Sequence, residues 1–138
     1  MDQTFKLDIL IPVYNEGENI IETLQAIKKN TKNPFRILIC YDFDEDNTIP
    51  AVKKIEKEIE SLILFVKNRG VGVHRAITTG FEESTASAVL VFPADEAYNT
   101  NIIDLMYEKF EAGSHVVVAS RFTKGGSMEG GPFLKSFV

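Results

Sequence analysis

The chain has 138 residues, 44% of them apolar and 25% charged, with a formal net charge of −5. This suits one domain with its own core, and the acidic balance excludes nucleic acid as a default partner, since phosphate backbones are gripped by clustered Lys and Arg. Cys40 has no second cysteine to pair with, no apolar run approaches the roughly 18 residues of a membrane span, and the first residues lack the basic start of a signal peptide, which together predict a soluble, cytoplasmic domain.

Leu7-Asp8-Ile9-Leu10-Ile11 reads as a first strand, ending at Pro12-Val13-Tyr14. Asn15 and Glu18 have capping-box spacing, which predicts Asn15 as the N-cap of a helix whose inner stripe is Ile20, Ile21, Leu24 and Ile27. That helix fades at Lys28-Lys29-Asn30, where cations suit the negative end of its dipole. Residues 36–41 form a second strand, which runs into the acidic segment Asp42-Phe43-Asp44-Glu45-Asp46-Asn47-Thr48. Pro50 suits the first turn of a second helix, with Val52, Ile55 and Ile59 buried. A third strand at 62–66 leads to the glycine loop Asn68-Arg69-Gly70-Val71-Gly72 and a helix expected to face Val73, Ile77 and Phe81 inward.

The fourth strand, 88–92, ends in Pro93-Ala94-Asp95-Glu96. A fourth helix follows with Ile102, Ile103, Met106 and Phe110 on one face and Gly113 as its stop, then a fifth strand at 115–119. Strand and helix alternate throughout, and the strands are continuously apolar. That pattern predicts an α/β fold with a doubly wound, mostly parallel, Rossmann-like sheet. The glycine-rich tail from Lys124 to Pro132 ends in the apolar Phe133–Val138, which implies either a shortened chain or a segment that docks on a partner.

In such sheets ligands bind beyond the carboxyl ends of the strands. Asp95 stands there and is the leading functional candidate. With the first strand between the second and fourth, Asp42 and Asp95 lie about 10 Å apart, at about 4.8 Å per strand. That is too far for one small cation and about right for a nucleoside diphosphate, so Asp42 is assigned to base or ribose and Asp95 to the metal–phosphate end. Arg121, past the fifth strand, is placed to neutralise phosphate. The alternating Asp42, Asp44 and Asp46 are not an EF-hand, because the positions needing Gly and Glu hold Asn47 and Lys53. Gly70-Val71-Gly72 lacks the third glycine of a dinucleotide fingerprint and reads instead as a tight turn that brings a helix N-terminus to the ligand edge. His74 and His115 have no second ligand at zinc spacing, and Cys40 reads as buried and inert.

Five motifs in order resemble the GT-A glycosyltransferases of family 2, particularly their dolichol- and polyprenol-phosphate mannose synthase-like branch. They are Ile11-Pro12-Val13-Tyr14-Asn15-Glu16, the segment Asp42–Thr48, Asn68–Gly72, Phe92-Pro93-Ala94-Asp95 and Ser120–Gly126. The resemblance implies the nucleotide-binding half of a GT-A enzyme over residues 1–138, truncated at its C-terminus. It implies an inverting transfer of sugar from a GDP- or UDP-sugar to a lipid-phosphate or glycan acceptor, with Mg²⁺ or Mn²⁺, in cell-envelope glycan synthesis at the cytoplasmic face of a membrane. By position, Pro12, Tyr14 and Glu16 would line the nucleoside pocket, and Asp42, backed by Cys40, would contact the base. Ala94 and Asp95 would meet the ribose, diphosphate and metal, and Arg121 the donor phosphates.

The family usually has Asp-Ala-Asp at the fourth strand end, and here the first position is Pro93. Glu96 would replace it only if the chain turns sharply, since adjacent extended residues point opposite ways. The acceptor region and catalytic base lie in the family's C-terminal half, so this fragment alone is expected to turn over weakly or not at all, and a homo-oligomer or a missing C-terminal region is expected to complete it. A non-catalytic GT-A-like domain that binds nucleotide or protein is the competing reading. A nucleotidyltransferase fits less well, for want of a glycine-rich, basic segment after the first strand.

Overall fold

The segments Leu7–Pro12 and Phe35–Tyr41 are apolar on both faces because helices cover both faces. A computed structural model describes residues 5–59 and 63–120. Strands β1 (Leu7–Pro12), β2 (Phe35–Tyr41), β3 (Ile63–Lys67) and β4 (Ala88–Val91) form one parallel sheet in the order β3-β2-β1-β4. Ile9 of β1 pairs with Ile37 of β2 on one side and Leu90 of β4 on the other. Helices α1 (Asn19–Asn30), α2 (Thr48–Ile59), α3 (Val73–Glu83) and α4 (Ile103–Glu111) alternate with the strands, and a 3₁₀ helix, Ala97–Ile102, leads into α4.

The two faces differ in depth. Ile9, Ile11, Ile37 and Ile39 pack with Ile20, Leu24 and Ile27 of α1, Val52, Ile55 and Ile59 of α2, and Ile103 and Tyr107 of α4. The opposite face, Leu10, Leu38 and Cys40, meets Ala76 of α3. The stripes read from sequence for α1 and α2 are the buried ones, and α4 adds Tyr107.

For α3 the expected face is rotated: of Val73, Ile77 and Phe81 only Ile77 packs against the sheet, and it is partly buried. Val73 and Phe81 are exposed, whereas Ala76, Thr79 and Gly80 are buried. Small residues face the sheet because the helix approaches it closely. A Cβ on Gly80 would lie 2.0 Å from Leu10 Cδ1 and 3.2 Å from Cys40 Sγ. Thr79 stays satisfied on that inner face because its hydroxyl accepts the Arg69 N–H at 3.1 Å. Gly80→Ala is therefore expected to destabilise the domain by about 1–3 kcal/mol through overpacking, although alanine is about 1 kcal/mol better in a helix. Urea unfolding tests this, and a raised midpoint would show that α3 can lift without loss.

Two further expectations are corrected. Asn15 is not an N-cap. Its φ is +47°, α1 begins at Asn19, and Glu18 precedes it with no side-chain cap bond. The Asn15 side chain serves the acidic loop instead, as described below. The fifth strand at 115–119 also does not form, and Val116 and Val118 are exposed. Its valines favour a strand only where a neighbouring edge and a covering layer receive them, and among the described residues β4 carries no partner on its outer side.

Candidate donor site at the carboxyl edge of the sheet

The ladder continues past the strand ends and brings four loops together. Val13 N–H donates to Cys40 O at 2.9 Å, Asn68 N–H to Tyr41 O at 2.8 Å and Phe92 N–H to Leu10 O at 2.9 Å. The chain therefore leaves β1, β2, β3 and β4 side by side, the arrangement that makes a ligand crevice in an open α/β sheet.

Asp42 lies half-buried at the end of β2 and joins it to the glycine loop. Its Oδ1 accepts Asn68 Nδ2–H at 2.7 Å and its Oδ2 accepts the Gly72 N–H at 3.1 Å. Gly70 and Gly72 have φ of +115° and +99°, a backbone region that favours glycine. This is the tight turn expected from sequence, with the start of α3 at the crevice. Asn68 is a site candidate that sequence reasoning passed over. It is nine-tenths buried, and its Oδ1 has no hydrogen-bond partner among the described residues.

The acidic segment divides its carboxylates among separate partners. Asp44 pairs with Lys67 at 3.0 Å, while Asp46, fully buried, binds the Asn15 and Thr48 amides at 3.0 and 2.8 Å. Asp46 is the second missed residue. Its signal was an Asp-x-Thr just before a helix with proline in its first turn, which is a cap pattern.

Pro12 is half-buried at the end of β1, and Tyr14 is exposed, its ring edge-on to Phe43 at 5.7 Å. Glu16 is half-buried beside them. Burial pushes its carboxyl above the ordinary 4.5, and the charges of Asp95 and Asp46 push it the same way. Glu16, after β1, and Asp95, after the neighbouring β4, carry like charge, and their repulsion is one cause of that rise. A group raised in this way adds stability below pH 4.5 that is lost as pH rises through its folded value. Glu16→Gln is accordingly expected to raise the melting temperature at pH 7 and to leave it unchanged at pH 4. An unchanged value at both would show that Glu16 carries no such strain.

Asp95 sits on an exposed turn after β4 and makes no hydrogen bond or ion pair among the described residues. The chain does turn at Ala94-Asp95, but Glu96 is drawn aside, with one carboxylate oxygen accepting Asn99 Nδ2–H. Among the described residues no group of three or more His, Cys, Asp and Glu could hold a metal.

Two of the expected site residues have buried side chains. Cys40 is fully buried against the α3 face, where burial pushes its thiol up to about 12. Ala94 is buried in the main core. Arg121 lies outside the described residues.

Residues 8–135 match the sequence profile described as Glycosyl transferase family 2. The chain belongs to glycosyltransferase family 2. Over 134 residues it is 25% identical to a dolichol-phosphate mannosyltransferase of Pyrococcus furiosus, covering 96% of this chain and 38% of that one. Over 116 residues it is 33% identical to an undecaprenyl-phosphate 4-deoxy-4-formamido-L-arabinose transferase of Yersinia enterocolitica, covering 81% and 36% of the two chains. The chain thus spans less than two-fifths of the length of these relatives. The fold matches that of residues 1–349 of S. aureus TarS, solved in complex with UDP-GlcNAc. The TM-score is 0.62 at 18% identity, over 86% of this chain and 38% of that one. These family 2 likenesses agree with the GT-A reading of the five motifs. No helix among the described residues is long and apolar enough to cross a membrane.

Proposed function

We propose that this family 2 domain binds a nucleoside diphosphate-sugar, GDP- or UDP-linked, in the crevice beyond β1, β2 and β4. In the whole protein it would hand the sugar to a lipid-phosphate acceptor at the cytoplasmic face of a membrane. The observation that carries this reading is the pairing at the sheet edge of an anchored polar group, Asp42 with Asn68, and an unpartnered carboxylate, Asp95.

Asp42, held by Asn68 and the Gly72 amide, offers a fixed carboxylate suited to ring N–H and amino groups of a base. Tyr14 and Phe43 supply apolar surface at the rim. Hard oxygen ligands suit Mg²⁺ or Mn²⁺, and Mg²⁺ commonly takes one or two carboxylates with the rest from phosphates and water. Asp95, exposed and unspent, fits that role despite Pro93, with the charge of Glu16 near enough to be felt. When bound, such a cation neutralises the charge that develops on a departing diphosphate. The protein's own part is to hold the donor by its base and to aim its diphosphate at Asp95.

Titration calorimetry of the chain with UDP, GDP and their sugars, with and without Mn²⁺, tests the reading. Metal-dependent binding of one nucleotide supports it. Pro93 favours a second reading, a GT-A-like domain whose metal motif is degraded, and binding indifferent to Mn²⁺ would support that one. A chain that binds neither nucleotide would point to a protein partner.

A further inference from the structure

The segment Asp46-Asn47-Thr48 grips three successive amides of the β1–α1 loop. Asn15 N–H donates to Asp46 Oδ2 at 3.0 Å, Glu16 N–H to Thr48 Oγ1 at 2.9 Å, and Gly17 N–H to Asn47 Oδ1 at 2.8 Å. The clasp is reciprocal, since the Asn47 N–H donates to Asn15 Oδ1 at 3.1 Å, and Asp46 Oδ1 accepts the Thr48 N–H at 2.8 Å. The loop it holds is an unusual one. Asn15 at φ +47° and Gly17 at φ +55° both lie in the left-handed region, which costs a non-glycine residue energy that the surroundings must supply. Three consecutive amides with no secondary-structure partner of their own need acceptors, and all three come from one short stretch after β2. Asp46 and Thr48 are fully buried, so the grip is screened from competing water. What the clasp presents is Tyr14 at its border, set edge-on to Phe43, and the half-buried Glu16 within it.

We propose that Asp46, Asn47 and Thr48 are positioning residues, which lock the β1–α1 loop in its left-handed form and so set Tyr14 and Glu16 at the donor crevice. The donor part of this proposal rests on the nucleotide-sugar reading above; the geometric part does not. None of the three acts on a ligand directly. Asp46 and Thr48 are buried, and Asn47 is turned toward Gly17. Preorganisation of this kind lowers the ordering cost of binding.

The test uses three variants of the chain. Thr48→Val keeps shape and removes the acceptor for the Glu16 amide, Thr48→Ser restores the hydroxyl, and Asn47→Ala frees the Gly17 amide at an exposed position that does not threaten folding. Two quantities are read well below each melting temperature: the nuclear Overhauser effects between the Tyr14 and Phe43 rings, and the affinity for UDP and GDP with Mn²⁺. Thr48→Val and Asn47→Ala are expected to abolish the inter-ring Overhauser effects and to bind about tenfold more weakly, with Thr48→Ser keeping both properties. Persistence of the inter-ring effects in Thr48→Val and Asn47→Ala would overturn the proposal, as would their disappearance with affinity unchanged. Should the parent chain bind neither nucleotide, the donor reading fails while the inter-ring effects still decide whether the clasp sets the loop. If Thr48→Val does not fold, the comparison rests on Asn47→Ala against the parent.

Discussion

Asp8→Ala is expected to destabilise the domain by about 3–5 kcal/mol, because it strands a buried guanidinium. Asp8 is fully buried in β1 and takes a two-pronged grip from Arg36 of β2, with Nε and Nη2 at 2.9 and 2.7 Å. The Ser84 hydroxyl and the Thr85 amide also donate to Asp8 Oδ2, at 2.6 and 3.3 Å. One carboxylate thus ties β1, β2 and the α3–β4 connection at the end of the sheet away from the crevice. Urea unfolding measures the loss, and a change under about 1 kcal/mol would mean that Arg36 finds water or another partner. Replacing both partners, as Asp8→Val with Arg36→Met, is expected to recover part of the loss, since an apolar pair leaves no stranded charge.

The same carboxylate sets an acid limit. Burial pushes Asp8 up, but the hydrogen bonds from Arg36 and Ser84, the Arg36 charge and the Thr85 amide outweigh it and hold the carboxyl below 3.8. Asp104 behaves alike, its burial outweighed by the Lys32 amide and by the side chain and amide of Asn33. A depressed folded value means stability that is complete above the unfolded value and lost as pH falls through the folded one. Stability is therefore expected to fall steeply below about pH 3.8, and Asp8→Val with Arg36→Met to flatten that fall.

Asp95→Ala is expected to abolish the gain in nucleotide affinity that Mn²⁺ provides, a loss of about tenfold or more, equivalent to about 1.4 kcal/mol. Its melting temperature should stay at the parent value or rise slightly, because Asp95 is exposed, makes no hydrogen bond or ion pair among the described residues and repels Glu16. That separation gives the prediction its force. A variant that melts normally and binds without regard to metal assigns Asp95 to the cation and diphosphate, whereas one that still binds in a metal-dependent way would move the cation to Glu16 or elsewhere.

Much of this fold is legible in the chain. Continuous apolar strands and the stripes Ile20-Leu24-Ile27 and Val52-Ile55-Ile59 fall where expected, since burial on both faces of a sheet and on one face of a helix leaves a periodic trace. Asp42, Asp95 and the glycine turn were legible for a related reason: residues just past a strand share one edge. The rotation of α3 toward Ala76 and Gly80 was not, because Val73-Ile77-Phe81 and Ala76-Gly80 are both plausible helical stripes. Only the distance of closest approach to Leu10 chooses between them. Asn15 misled because Asn suits a helix cap and a left-handed turn equally, and the acceptor that decides lies 31 residues away.

The sequence by itself determined the element order, the parallel sheet, the crevice edge and the family, since each follows from local periodicity and from motifs spaced along one chain. Tertiary structure alone decided which side chains meet across that spacing. It placed Asp8 on Arg36, clasped the Asn15–Gly17 loop with Asp46–Thr48, buried Cys40 beneath Gly80 and left residues 115–119 unpaired. Hydrogen bonds and close packing between residues far apart in the chain leave no periodic mark, so their partners become known only when the chain is folded.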